Sequence, residues 1–284
     1  MVATYFFLVF YAVALLALTS LGLAVIFGMM QVINLAHGEF MMLGAYTCVL
    51  CYNAGLPYVL SLVVAMVVVG LFGVIVERLI IRRLYGQVVD TLLVTWGLSL
   101  LMIGVVTAIF GPQAKSMQLS FGSLEIAGSR FSAYSFWLIA IAVLMMLVTW
   151  ALARFTTAGL IVRGTIQAPD TCRALGVNTH FVYMGTFAYG SAMAGLAGGV
   201  LAPLTGASPL MGASFVAKAF INVIVGGRLP LLGTALASAM FGTIDGTVSF
   251  ISSSIAGEIT VLACAVVLLR LLPTGITGRF KRGI

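Results

Sequence analysis

The chain has 284 residues, 62% of them hydrophobic and only 7% charged, with a formal net charge of +7. Soluble domains carry about 25% charged residues, so no water-soluble fold can bury this much apolar surface and the solvent is lipid. The basic residues gather in three loops, which speaks to membrane topology through the positive-inside bias rather than to nucleic acid.

Length allows one multi-span domain over residues 1–284, with roughly eight helices at about 20 residues each and little left for a soluble domain. Residues 5–27 read as the first span. No basic n-region precedes them and they are long enough to stay in the membrane, so no secretory signal is expected. The run Gly28-Met-Met-Gln-Val-Ile-Asn-Leu-Ala-His-Gly-Glu-Phe40 then interrupts the apolar sequence. It holds Asn34, His37 and Glu39 beside glycines, and Glu39 is the one acidic residue between Met1 and Tyr52. Ionisable groups at membrane depth are costly and usually face a polar cavity or a partner. A polar, glycine-punctuated break between apolar segments points to a transport site.

Residues 35–53 form the next segment, closed by a turn at 53–57. Cys48 and Cys51 make a C-x-x-C inside it; without further ligands or a thioredoxin-like context they read as small packing residues. Residues 58–76 span, 77–90 form a polar loop with Arg78, Arg82 and Arg83, and 91–110 span again. Thr95 and Ser99 lie four apart on one helix face, with Trp96 beside them. Their hydroxyls and indole can bond an amide-like solute or a neighbouring helix.

A longer loop at 111–132 carries only two basic residues, and 131–152 span. The polar stretch 154–179 contains Arg163 and Arg173. Within it Pro169 and Asp170 can open a short helix and Gly176 can close it in the left-handed conformation. A capped helix of about two turns is expected there, a docking element for a partner or else an ordinary solvated loop.

Residues 181–202 span and include Gly195 and Gly199 at the G-x-x-x-G spacing of closely packed helices. A second break at 203–209 leads to a shorter segment, 211–225, which carries the isolated Lys218. A lysine at that depth snorkels, pairs or lines water. After a turn at 226–230, residues 231–252 and 259–272 complete the spans, and a tail carries Arg279, Lys281 and Arg282. Asp245 in the penultimate span reads as a structural acid paired to a helix end.

Placing 77–90, 154–179 and the tail in the cytoplasm puts the poorly basic loop 111–132 outside and Arg228 inside. Met1 lies outside if 35–53 crosses fully, and inside if that segment is re-entrant. The expected architecture is all-α: a polytopic helical membrane protein of about eight to nine membrane segments, two of them interrupted or short, in a pseudo-inverted repeat.

The pathway candidates are Asn34, His37, Glu39, Thr95, Ser99 and Lys218. If the chain is helical near His37, Asn34 and His37 share a face and Glu39 points away. One of these groups then faces the path while another pins a neighbour; equally, Asn34 and His37 can satisfy backbone groups freed by the break. There is no G-x-x-x-x-G-K-[ST] loop for ATP. Two histidines and seven scattered acids offer no metal cluster or catalytic constellation. Neither an enzyme nor a cofactor is expected, and any ATP is hydrolysed on another chain.

The core Ile-Asn-Leu-Ala-His-Gly-Glu-Phe40 resembles the signature of permease subunits of branched-chain amino acid-type ABC importers. The likeness continues through Glu77-Arg78 and residues 91–100, 163–179, 187–203 and 214–227, covering nearly the whole chain. It is similar to the LivH-like kind of permease rather than to that subunit's longer partner. The turn Gly226-Gly-Arg-Leu-Pro-Leu-Leu-Gly233 departs from the family's more usual Gly-Gly-x-Gly-Ser/Thr. The resemblance implies a bacterial inner-membrane importer with a second permease subunit as heterodimer partner, two cytoplasmic ATP-binding subunits and a periplasmic solute-binding protein. It also implies that Asp170, Arg173, Ala174, Leu175 and Gly176, with Arg163 nearby, belong to the loop that docks the ATPase. The residues Leu84-Tyr-Gly86 and 91–100 resemble the branch that carries urea or short amides, so the solute is a branched-chain amino acid or such a related small polar molecule. The competing reading is an ATP-independent channel or secondary transporter for a small neutral solute, although a channel needs no docking helix.

Overall fold

The structure, a computed structural model, describes residues 2–119, 121–126, 129–227, 229–272 and 274–279. Among these, eleven α-helices follow in order: α1 Val2–Met30, α2 His37–Asn53, α3 Tyr58–Leu79, α4 Val88–Phe110, α5 Ala133–Phe155, α6 Thr157–Gln167, α7 Pro169–Ala174, α8 Thr179–Thr205, α9 Met211–Gly226, α10 Pro230–Ile251 and α11 Ser254–Leu271. Seven helices (α1, α3, α4, α5, α8, α10 and the one starting at Ser254) are long and apolar enough to cross a membrane, and α9 is a shorter apolar helix. The polytopic all-α architecture expected from the sequence is therefore present.

Three expectations change in detail. The loop drawn at 77–90 shrinks, because α3 runs to Leu79, a 3-10 turn occupies Ile81–Leu84 and α4 starts at Val88. Stretch 154–179 is mostly helical, since Thr156 caps α6 by accepting from the Gly159 amide at 3.0 Å. The loop 111–132 contains a small antiparallel hairpin, β1 Ser123–Ile126 with β2 Ser129–Ser132, paired Ser123 to Ser132 and Leu124 to Phe131. Arg228, Lys281 and Arg282 lie outside the described residues.

The chain divides into two compact units: Met1–Ser20, Leu119–Thr149 and Lys218–Ile284 form one, and Leu21–Gln118 and Trp150–Ala217 the other. In the first unit Leu16, Val225, Ala237, Phe241, Val261 and Ala265 pack from α1, α9, α10 and α11 into one core. Here Asn222 of α9, fully buried, donates to Ser20 at 2.9 Å and to Ser238 at 2.7 Å. A buried amide needs such partners, and these bonds tie α1, α9 and α10 together.

In the second unit α2 is enclosed by α3 and α8. Its buried positions run around the helix, as expected of a helix that meets protein on all sides. Phe40 sets its ring edge-on to Phe72 of α3 at 5.4 Å and to Phe187 of α8 at 6.1 Å. Close approach depends on glycine: a Cβ on Gly198 would run into the Met41 carbonyl, and one on Gly195 would meet Val69. The small-residue run in α8 is therefore used for packing inside the bundle. Cys48 is buried and abuts Gly199, and the four cysteines are free thiols.

Candidate functional site

The first break is an unwound segment at 31–36 between α1 and α2. It begins at Gln31, whose φ of 53° is left-handed, a conformation costly for a residue with a Cβ. That residue turns the chain out of α1. Asn34 consequently lies outside any helix, and the arrangement in which Asn34 and His37 share a helical face does not occur. Instead the Asn34 side-chain oxygen accepts from the Ala36 amide at 3.1 Å, and the Asn34 carbonyl accepts from the His37 amide at 3.2 Å. Asn34 thus turns the chain into α2, while its Nδ2 is buried with no hydrogen-bond partner among the described residues.

Helix α4 holds the break from outside. The Thr95 hydroxyl accepts from the Leu35 amide at 3.1 Å and lies 3.3 Å from the Ile33 carbonyl and 3.1 Å from the Leu92 carbonyl. One hydroxyl therefore serves backbone groups that a helix would have paired internally. One turn further, Ser99 hydrogen-bonds the Glu39 carboxyl. The other carboxyl oxygen of Glu39 is buried and has no hydrogen-bond partner among the described residues. Glu39 sits in the first turn of α2, where the helix dipole favours negative charge. His37 opens α2, is fully buried, and lays its ring edge over Gly22 of α1.

Asn34, His37, Glu39, Thr95 and Ser99 are thus gathered at one place, each at most 8% exposed. Trp96 is not with them; it is 54% exposed on α4. Lys218 falls in the other unit, where its ammonium meets the Glu258 carboxylate of α11 at 2.6 Å. It is a paired lysine, with Ser249 and Asp245 on neighbouring α10 bonded at 3.4 Å.

Sequence reading missed the feature that brings the two interruptions together. The second break, 206–210, leads into α9, and Gly212 at its start packs directly on Gly38 at the start of α2. A Cβ on Gly38 would lie 2.6 Å from the Gly212 carbonyl oxygen. In the preceding helices Gly22 of α1 meets Gly190 of α8 in the same way. Each pair lets two backbones approach closely where a Cβ would clash. A glycine adjoining each break was the available signal. The second break is also bridged to the loop after α4, where Lys115 and Ala207 exchange backbone bonds at 2.9 and 2.8 Å.

In the stretch 154–179, α7 has Pro169 in its first turn, and Gly176 follows it with φ of 84°. Asp170, Arg173, Ala174, Leu175 and Gly176 are exposed, Leu175 at 78%, and Arg163 is half-buried on α6. Leu175 caps the C-terminal end of the six-residue α7, two residues after Arg173. No group of three metal-ligating side chains occurs among the described residues.

The family model described as "Branched-chain amino acid transport system / permease component" matches residues 5–279. The "High-affinity branched-chain amino acid transport system permease protein LivH" of Escherichia coli (strain K12) is 26% identical over 282 residues, covering 93% of this chain and 91% of that protein. The "Probable branched-chain amino acid transport permease protein LivH" of Methanocaldococcus jannaschii is 24% identical, with 93% and 89% covered. The BraD permease protein of Pseudomonas aeruginosa is 25% identical, with 93% and 91% covered. Among solved structures, "PsaBC from Streptococcus pneumoniae in complex with Fab" shares the fold, at a TM-score of 0.50 and 12% identity over 99% of this chain and 98% of that one.

Proposed function

The chain belongs to the branched-chain amino acid transport system permease family, and from that premise we propose that it translocates a branched-chain amino acid, or a related small polar solute such as urea or a short amide, driven by partner ATPases. It works as one permease of a heterodimer, with two cytoplasmic ATP-binding subunits and a periplasmic solute-binding protein. The ATPase docks on Asp170, Arg173, Ala174, Leu175 and Gly176, with Arg163 behind them.

The observation that carries this reading is the buried polar break. Asn34 Nδ2 and a Glu39 carboxyl oxygen are buried without hydrogen-bond partners among the described residues, and such groups are costly unless something else satisfies them. A zwitterionic solute does so: its ammonium answers Glu39, and its carboxylate answers Asn34 and the amides at the start of α2. Urea or a short amide offers the same donors and acceptors without the charges. Lys218, already paired, is the weakest member of the pathway set.

The test is transport by the chain reconstituted with its second permease, ATPases and binding protein. Labelled leucine is expected to be imported only with ATP, and unlabelled urea in excess decides between the solute classes by whether it competes. The variant Asn34→Ala is expected to lower the rate roughly tenfold, the effect of one hydrogen bond to a charged group. An unchanged rate with intact assembly removes Asn34 from the path. Leucine flux through the chain alone in vesicles would instead establish the channel reading.

A further inference from the structure

In the last turn of α3, Glu77 has a fully buried carboxylate. Its partners all come from the turn that follows. Tyr85 donates its hydroxyl to Oε1 at 2.6 Å, while Arg82 donates through Nη2 to Oε2 at 3.2 Å and through Nε to Oε1 at 3.4 Å. The same turn grips the start of α8. The Tyr85 ring lies 5.0 Å from that of Tyr183, and Arg82 Nη2 lies 3.8 Å from the Met184 sulfur. Burial first, and then the bond to Glu77, push the Tyr85 phenol above its ordinary range. The hydroxyl therefore keeps its proton at working pH.

Two further sets of contacts extend this knot in opposite directions. Toward the docking helix, Arg173 of α7 donates to Thr179 at 3.1 Å, and Thr179 is the first residue of α8, one turn before Tyr183 and Met184. Toward the break, the Thr91 hydroxyl holds the same turn by donating to Leu84 at 3.2 Å and Gln87 at 2.7 Å. Thr91, Thr95 and Ser99 follow at four-residue intervals on the buried face of α4, about 12 Å from first to last. Thr95 and Ser99 are the two residues that hold the unwound segment and Glu39.

We propose that Glu77, Arg82 and Tyr85 form a clasp that passes displacement of the docking helix, through α8 and α4, to the polar break, which makes Glu77 a positioning residue for transport. The inference rests on the reading given under Proposed function. A buried ion pair is weak evidence of a stability role, since apolar packing does as well or better. What the pair adds is one geometry shared by α3, α4 and α8. Packed elements with discrete arrangements carry coupling only where they are joined physically.

The experiment measures leucine imported per ATP hydrolysed in proteoliposomes of the complete transporter, for wild type, Glu77→Gln and Tyr85→Phe. Tyr85→Phe keeps the ring on Tyr183 and removes only the hydroxyl, so it tests the clasp even if Glu77→Gln fails to assemble. The expected result is ATP hydrolysis still stimulated by the loaded binding protein, with import per ATP falling roughly five- to tenfold. In the double variant Tyr85→Phe with Thr95→Val, the losses are expected to be non-additive. Equal losses of import and hydrolysis, or an unchanged ratio, would overturn the clasp beside a working wild type. Absence of ATP-driven import in the wild type would overturn the importer reading itself and this inference with it.

Discussion

Thr95 shows how a single hydroxyl decides whether the break can exist. It meets the Leu35 amide and faces the Ile33 carbonyl, two backbone groups left unpaired when α1 unwinds. Buried backbone groups without partners cost about 1–3 kcal/mol each. Thr95→Val preserves shape and removes both contacts, so it is expected to destabilise the protein by about 2–4 kcal/mol, while Thr95→Ser loses little. Thermal unfolding in detergent reads the difference; equal melting temperatures for the two variants would show that the hydroxyl does not hold the segment. The sequence made Thr95 visible as a polar residue on a helix face but not its partner. Asn34 does not share a helical face with His37, and nothing in Met-Gln-Val-Ile-Asn announces a left-handed residue at Gln31, where glycine is the ordinary choice. Asn222 is legible in the sequence as a lone amide within an apolar segment.

At the scale of helices, the glycine contact at Gly38 and Gly212 sets how closely the starts of α2 and α9 approach. Gly38→Ala places a methyl against the Gly212 carbonyl and backbone, and neither can move aside as a flexible side chain would. Overpacking of this kind costs about 1–3 kcal/mol. The expected outcome is a lower melting temperature and reduced import, and a matching Gly212→Ala is expected to be non-additive with it because both act on one contact. Additive losses would mean that the two helix starts do not share the contact. Element placement was largely readable from sequence for physical reasons. Long charge-free runs have no stable alternative to helix in lipid, and Pro169 with Gly176 fixed both ends of α7. The hairpin was not readable, because strands of four residues are too short for an alternating pattern to register. Helix α6 is hard to see in the sequence because the segment is polar for this chain, although Thr156 supplies a start signal.

At the scale of the molecule, a channel and a driven importer differ in what must move. Helix α2 is buried on nearly every side, and Asn34, His37 and Thr95 are each fully buried. A solute reaches them only if helices packed to the density of a protein interior are displaced, and such packing shifts between discrete arrangements rather than yielding gradually. Thermal fluctuation populates such states rarely when the gap is a few kcal/mol. The proposed source of the displacement is therefore external: nucleotide binding and hydrolysis on ATPases that grip α7. From this follows a prediction about the chain without its partners. Vesicles containing it alone are expected to pass labelled leucine and urea no faster than protein-free vesicles, and adding the ATPases, second permease, binding protein and ATP is expected to restore leucine uptake. Gly176→Ala should then reduce uptake by weakening the left-handed cap of the docking helix by about 1 kcal/mol, with the residual uptake still strictly ATP-dependent. Uptake by the chain alone that saturates with solute would mean that α2 moves without being pushed, and the docking helix would then have no part in transport.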